Sequence, residues 1–389
     1  MKVLIIDNHS FGIPNIVHAM EQFAIKVDRI SVSIDGRLKM EEFDHTLNVY
    51  VERNKYDFIF SFNYFPLVAE ACYKRKIKYV SWVYDSPLVA LYSYTMVYAT
   101  NYIFLFDYEL YREIKKIGLN HVFYLPLVPN TLRQGEVTEE SMHHRMKTMQ
   151  VSFVGSLYND PKNQLFSKFE NASPYVMGYL NALIDIQQKL YGAFILEEGL
   201  DENIVRELQK VCPYEENNSY GVESAKYVYA NYFLAREVTS RERIQVLKDL
   251  SESYEVFLFS NCMAENLNHV YVRSRVDYYN QMPQIFRETE INLNITLRSI
   301  RTGIPLRALD IMGVGGFLLT NYQPEMDNYF IAGEEYDYYA SKEELKDKTA
   351  YYLEHKQKRE EIAYQGFCKI QKEFTYEKRL QTILDAVVK

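Results

Sequence analysis

The feature that most constrains this chain is a series of short apolar runs: Lys2–Ile6, Arg29–Val32, Asp57–Phe62, Tyr79–Tyr84, Tyr102–Phe106 and Val122–Leu125. Stretches of helical spacing, such as Asn15–Ile25, lie between them. Runs this short, mainly apolar and bounded by polar residues or proline, predict strands buried on both faces, as in a parallel sheet. Their alternation with helices predicts a doubly wound α/β unit. A second series opens at Val151-Ser152-Phe153-Val154-Gly155, but its next strand, Glu255–Phe259, follows only after helical patterns near Tyr175–Tyr191, Glu202–Val211 and Val222–Leu250. Then come a helix at Tyr278–Glu288, a strand at Ile291–Ile295, a short helix at Pro305–Met312 and a strand at Gly316–Leu319. Three charged helices are expected in Lys342–Lys389, where Ala363, Phe367, Ile370 and Phe374 recur at helical spacing and mark a packed stripe.

A chain of 389 residues exceeds what one core usually organises, so two domains are expected. The first spans 1–133, and a polar stretch, 134–150, reads as a linker after Pro126 and Pro129. The second spans 151–372 and carries a helical insertion at about 160–250; a C-terminal helix, 373–389, could pack back on the first. The insertion could shape a ligand site or a homo-oligomer contact.

Composition removes several function classes. The net charge of −8 argues against a generic binder of nucleic acid or of anionic membranes, which needs a dominant basic surface. Cys72, Cys212, Cys262 and Cys368 form no C-x-x-C pair, which suggests reduced thiols and a cytoplasmic location. The first apolar run is too short for a signal peptide, and nothing approaches the roughly 18 apolar residues of a membrane span. No H-E-x-x-H or D-x-D triplet appears, and His143-His144 falls in the linker, so neither metal nor cofactor is expected.

In open α/β sheets ligands sit beyond the carboxyl ends of strands. The richest such loop is Thr296–Pro305, which leads into a helix N-terminus with Arg298, Arg301 and Arg307 nearby. Free amides, the helix dipole and three guanidinium groups would hold a diphosphate; a solvated basic turn is the alternative. Asp310 lies in an otherwise apolar helix, where a carboxylate needs a partner. Ribose hydroxyls would supply one, and so would Arg307 at i,i+3. Gly313, Gly315 and Gly316 follow directly and would let the backbone turn sharply near a ligand. Arg273 and Arg275 are secondary candidates for the same ligand in what reads as a loop. In the first domain, Asp7 and His9 after the first strand and Asp85 after Tyr79–Tyr84 are the candidates for a general base. Trp82 alternates within a strand and reads as core.

These segments form a recognisable series. Asn292-Leu293-Asn294-Ile295-Thr296, Arg301-Thr302-Gly303-Ile304-Pro305-Leu306-Arg307, Asp310, Gly315–Thr320 and Phe374–Arg379 resemble the C-terminal region of CgeB-like (spore maturation protein) glycosyltransferases. Ser81–Pro87, Phe106-Asp107, Tyr124–Pro126 and Phe153–Tyr158 resemble the N-terminal part of that family in order and spacing. The resemblance implies a GT-B fold of the group 1 type: two Rossmann-like domains facing a cleft, with the donor nucleotide in the second and the acceptor in the first. It implies transfer from a nucleoside diphosphate sugar, UDP-linked, to a hydroxyl of a protein or polysaccharide without a metal. Asp310 then corresponds to the acidic residue that binds the donor ribose, and the donor set comprises Asn294, Arg298, Arg301, Thr302, Gly303, Arg307, Gly315 and Gly316 with Arg273 and Arg275. Group 1 enzymes often carry a glutamate where this chain has Thr302, so that glutamate's role does not carry over. The competing readings are a non-catalytic nucleotide-sugar or glycan-binding assembly protein and a nucleotide-sugar epimerase on the same fold.

Overall fold

The first apolar series forms one parallel sheet. In this computed structural model, which describes residues 1–34, 38–130, 140, 142, 145–214, 221–261 and 267–388, it comprises β1 (Lys2–Asp7), β2 (Lys26–Ser31), β3 (Phe58–Phe62), β4 (Lys78–Val83), β5 (Asn101–Leu105) and β6 (Val122–Tyr124). The strand order is β2-β1-β3-β4-β5-β6. Every residue of β3 is buried, as a central strand covered on both faces requires. The connecting helices are α1 (Ile13–Gln22), α2 (Met40–Val51), α3 (Pro66–Arg75) and α4 (Tyr108–Lys116). Asp107 caps α4, its carboxylate accepting the amide of Glu109 at 3.2 Å. Trp82 is fully buried, as its alternation predicts.

The chain divides into two compact units, and the first consists of Met1–Leu127, the stretch Glu215–Ser224 and Phe374–Lys389. The C-terminal helix, Tyr376–Val387, thus belongs with the first sheet, and Thr375 caps it through the amide of Lys378. It lies so near α1 that a Cβ at Gly12 would stand 2.9 Å from the Tyr376 hydroxyl and 2.5 Å from the Phe62 ring.

The second unit, Val128–Tyr214 and Ala225–Glu373, holds the second sheet. Its strands are β7 (Met149–Val154), β8 (Val256–Phe259), β9 (Val270–Arg273), β10 (Thr289–Asn294), β11 (Leu318–Asn321) and β12 (Asp337–Tyr339), ordered β12-β11-β10-β7-β8-β9 and all parallel. Between β7 and β8 lie α5 (Pro174–Lys189), α6 (Glu202–Val211) and α7 (Ala235–Ser251), the last preceded by a π-helical stretch at Tyr229–Leu234. The remaining helices are α8 (Gln281–Glu288), α9 (Leu306–Gly313), α10 (Lys342–Glu354) and α11 (Lys356–Glu373). Two expectations need correction. β7 begins at Met149, inside the stretch read as linker, because Met149 continues the ladder by pairing with Thr289 of β10; of the rest of that stretch, 134–139, 141 and His143-His144 lie outside the described residues. Arg273 ends strand β9 instead of lying in a loop, since Val270–Arg273 pair with Val256–Phe259.

Helix α11 contains Gly366, where a Cβ would overlap the carbonyl oxygen of Glu335 and reach 3.1 Å from Met312 Cε. Ala is the better helix former by about 1 kcal/mol, but a backbone atom cannot yield as a side chain can. Overpacking therefore decides the sign: Gly366→Ala is expected to lower unfolding free energy by about 1–3 kcal/mol in urea titration. A gain in stability would show that the two backbones are not in contact.

Candidate active site

In each sheet the chain reverses its direction of growth once, and that reversal opens a crevice at the carboxyl ends. In the second sheet β7, β8 and β9 run one way and β10, β11 and β12 the other, so the switch lies between β7 and β10. The loops that follow these strands, Gly155 onward and Ile295–Pro305, are fastened together by Arg243 of α7. Its guanidinium donates to the carbonyls of Ser156 (2.5 Å) and Ile295 (3.0 Å). Arg243 is buried, and burial holds its pKa below the ordinary arginine value. Sequence reasoning missed it; the only signal was a charged position on the buried face of a helix.

The loop after β10 ends at Pro305, the N-cap of α9, with extended φ −68° and ψ 142°. Asp310 is on the buried side of α9, at 5% exposure. Burial raises its carboxyl to about 6, against the pull of Arg307, the Tyr278 hydroxyl and the Asn130 amide. Tyr278 donates at 3.0 Å, and Arg307 Nη1 stands 3.6 Å away. The internal i,i+3 partner considered from sequence is therefore present, at a distance too long for a strong hydrogen bond. Asp310 also lines a pocket whose other walls include Asn130, Tyr278, Tyr279, Pro283 and Phe286. A carboxylate at the edge of aromatic and apolar walls suits a ligand with a flat face and hydroxyl donors. Tyr278 and Asn130 had not been singled out, because their places beside Asp310 come from folding across long separations.

The arginines separate into different roles. Arg301 is half-buried, paired with Glu197 at 3.1 Å and packed over the Phe194 ring. Arg307 is similarly half-buried beside Asp310. Arg298 departs from its expected role as a diphosphate ligand. Its side chain is 6% exposed, its Nε and Nη2 each meet Glu242 at 2.9 Å, and Nη1 donates to the carbonyl of Leu190 at 3.0 Å. Burial opposes its charge, but Glu242 more than offsets this and holds its pKa above the ordinary value. Those donors are committed to the fold, so Arg298 anchors the loop.

Other expected donor residues also have structural partners. Asn294 is buried, and its Nδ2 donates to Thr296 (3.0 Å) and Thr320 (2.9 Å). Thr302 donates its hydroxyl to buried Glu325 at 2.6 Å, and the Gly303 carbonyl accepts from Gln323 at 3.0 Å. Gly315 and Gly316 follow the C-terminal end of α9, next to Val314, which lines the same pocket as Asp310. Gly315 has φ +75°, and the Gly315 and Gly316 amides bond to Met312 and Ile311 of the same helix. Arg273 and Arg275 are exposed, Arg273 bonding to the carbonyl of Val272 and the Arg275 amide to Asn261.

In the first unit the switch lies between β1 and β3. Asp7, expected as a candidate base, is 1% exposed and ion-paired with Arg29 of β2, Nε to Oδ2 at 2.8 Å. That pairing makes it a strand-end strut. His9 is exposed with φ +58°. Asp85 is exposed as a residue, yet the chain packed round its carboxyl raises the pKa from its ordinary value. Asn63 after β3 opposes that shift by donating to Asp85 at 2.7 Å, while its Oδ1 accepts the amides of Tyr84 and Asp85. Asn63, with φ +60°, is a residue the sequence reading passed over. Among the described residues no group of three or more His, Cys, Asp or Glu could hold a metal ion. No helix among them is long and apolar enough to cross a membrane.

Residues 236–385 match the model of a family described as glycosyl transferase-like. The chain is similar in fold to T4 phage β-glucosyltransferase, solved with its UDP-glucose substrate (12% identity, 100% of this chain and 99% of that one, TM-score 0.54). It is also similar to sucrose-phosphate synthase from Thermosynechococcus elongatus (9% identity, 99% and 98%, TM-score 0.55). A third is Anabaena HepE, solved with UDP and glucose (12% identity, 100% and 99%, TM-score 0.51). No curated protein matches the sequence. The two parallel sheets have the GT-B fold, and the matched domain makes the chain a glycosyltransferase and hence an enzyme.

Proposed function

We propose that this enzyme transfers a sugar from a UDP-linked donor to a hydroxyl of a protein or polysaccharide. The observation that carries the reading is Asp310: a buried carboxylate with a raised pKa lining a pocket beside two tyrosines, on the helix that starts next to Arg301 and Arg307. Ribose hydroxyls donate to Asp310, Arg301 and Arg307 face the diphosphate, and the first-turn amides of α9 add partial positive charge. Guanidinium groups and a helix dipole stabilise the leaving diphosphate without a metal. The two related folds solved with UDP or UDP-glucose support uracil as the base, the motif series supports a CgeB-like, spore maturation member, and the unpaired spacing of the four cysteines in the sequence supports a cytoplasmic location. On the acceptor side Asp85 is the best-placed general base, because it combines solvent access with a pKa that burial of its carboxyl raises above the ordinary value.

The test is thermal melting with UDP and GDP, followed by assay of the matching sugar donor in the presence of a chelator. UDP at about a hundred times its dissociation constant should raise stability by about 2.7 kcal/mol, and slow hydrolysis of a UDP-sugar should persist with the chelator. Binding without turnover over a panel of donors and acceptors would favour the nucleotide-sugar-binding assembly protein. Failure of both nucleotides to bind would overturn the donor site.

A further inference from the structure

The long segment between β7 and β8 has no part in the sheet, yet it holds the loop that follows β10 at several points. The amide of Arg298 donates to the Thr239 hydroxyl at 3.0 Å, its guanidinium meets Glu242, and Arg243 clasps the Ile295 carbonyl. These contacts fix the loop's backbone. One further contact reaches the half-buried guanidinium of Arg301. Glu197, in the turn before α6, pairs with Arg301 Nη2 at 3.1 Å through Oε2. The same oxygen accepts from Asn231 Nδ2 at 3.2 Å. Asn231 is 2% exposed, lies in the π-helical stretch, and is itself fixed by the carbonyl of Tyr227 at 3.0 Å. Phe194 covers the Arg301 guanidinium, with the ring centroid 5.1 Å away.

From this chain of contacts we propose that Glu197, oriented by Asn231, is the positioning residue for Arg301, so that the helical insertion sets the geometry of diphosphate binding; this rests on the donor-site reading above. An arginine side chain carries about 2 kcal/mol of rotamer entropy, and a guanidinium already held in place loses less on meeting its ligand. The pair engages Nη2, while a guanidinium offers five N–H donors, so bracing and anion binding are compatible. A carboxylate beside a phosphate site would also repel the ligand. The bond from Asn231 to the same oxygen, with the ring over the guanidinium, favours a brace over a competitor.

Calorimetric binding of UDP, inorganic pyrophosphate and uridine to the full chain tests this in Glu197→Gln, Glu197→Ala, Arg301→Ala and the double alanine variant. Glu197→Ala should weaken UDP and pyrophosphate about tenfold, leave uridine within about twofold, and add nothing in the Arg301→Ala background, as expected of residues acting through one contact. Glu197→Gln keeps the shape and should lie between parent and alanine, with melting temperatures confirming that each variant is folded. Equal losses for uridine and UDP, tighter UDP binding, or additive effects would overturn the proposal. If Arg301→Ala weakens UDP and Glu197→Ala does not, only the positioning role fails. If Arg301→Ala leaves UDP unaffected, the donor-site reading fails and this proposal with it.

Discussion

Asp310→Asn should make the protein more stable at pH 8 while weakening UDP-sugar binding about a hundredfold. The two effects have one origin. A carboxyl that titrates near 3.9 in an unfolded chain and at about 6 in the folded one keeps its proton across that interval only when folded. The folded state then binds more protons at this group, so its contribution to stability is full below about pH 4 and is lost as pH rises to about 6, by about 2–3 kcal/mol. The asparagine variant lacks this loss, and above pH 6 it should exceed the parent by about 1 kcal/mol or more once Arg307's lost partner is counted. The same ionised carboxylate is what ribose hydroxyls bind, each charge-assisted hydrogen bond contributing about 1.5–3 kcal/mol. Affinity for a UDP-sugar, whose doubly esterified diphosphate does not itself titrate near pH 6, should therefore rise with pH up to about 6 and flatten above it. In Asp310→Asn that dependence should vanish. Urea titrations at pH 5 and 8 with calorimetry at the same values check both halves. A variant less stable at pH 8 yet unaltered in binding would mean that Arg307 is the carboxylate's whole purpose.

The doubly wound architecture was legible because buried parallel strands are apolar on both faces, and β1, β3, β4 and β5 each read as a mainly apolar run. The strands that were not anticipated lack that signature. β9 spans four residues, two of them exposed, and β12 spans three and begins with an aspartate that bonds to Lys348 and Tyr352. The order of the site was legible too, since a polar loop between an apolar strand and a short helix marks a carboxyl-end crevice. The partners were not. Arg298 and Arg301 look equivalent in sequence, three residues apart on one basic loop. What separates them is Glu242 for one and Glu197 for the other, both in the insertion. Gly315 and Gly316 were legible only as a tight backbone, and in the structure that tightness closes the helix end.

Arg298→Met should cost about 3–5 kcal/mol of stability, the largest loss expected from any single change at the loop. The two side chains of the pair are 6% and 3% exposed, and the carboxylate meets the guanidinium at 2.9 Å through both oxygens. Removing the cation leaves Glu242 buried with the Tyr191 hydroxyl, at 2.9 Å, as its remaining named donor. It also removes the cation seated 4.3 Å above the Tyr191 ring and the bond to the Leu190 carbonyl. Most of the cost is the stranded charge, so neutralising it should recover much of the loss. Arg298→Met/Glu242→Gln is accordingly expected to be more stable than Arg298→Met alone by about 1–3 kcal/mol, a coupling that a double-mutant cycle in urea reads directly. Had Arg298 been a surface ligand for phosphate, its removal would leave unfolding within about 0.5 kcal/mol of the parent and weaken UDP selectively over uridine. The structural role predicts the reverse: a large loss of stability, a strong coupling to Glu242, and, in whatever fraction remains folded, a loop displaced from the insertion so that Arg301 loses its alignment with Glu197.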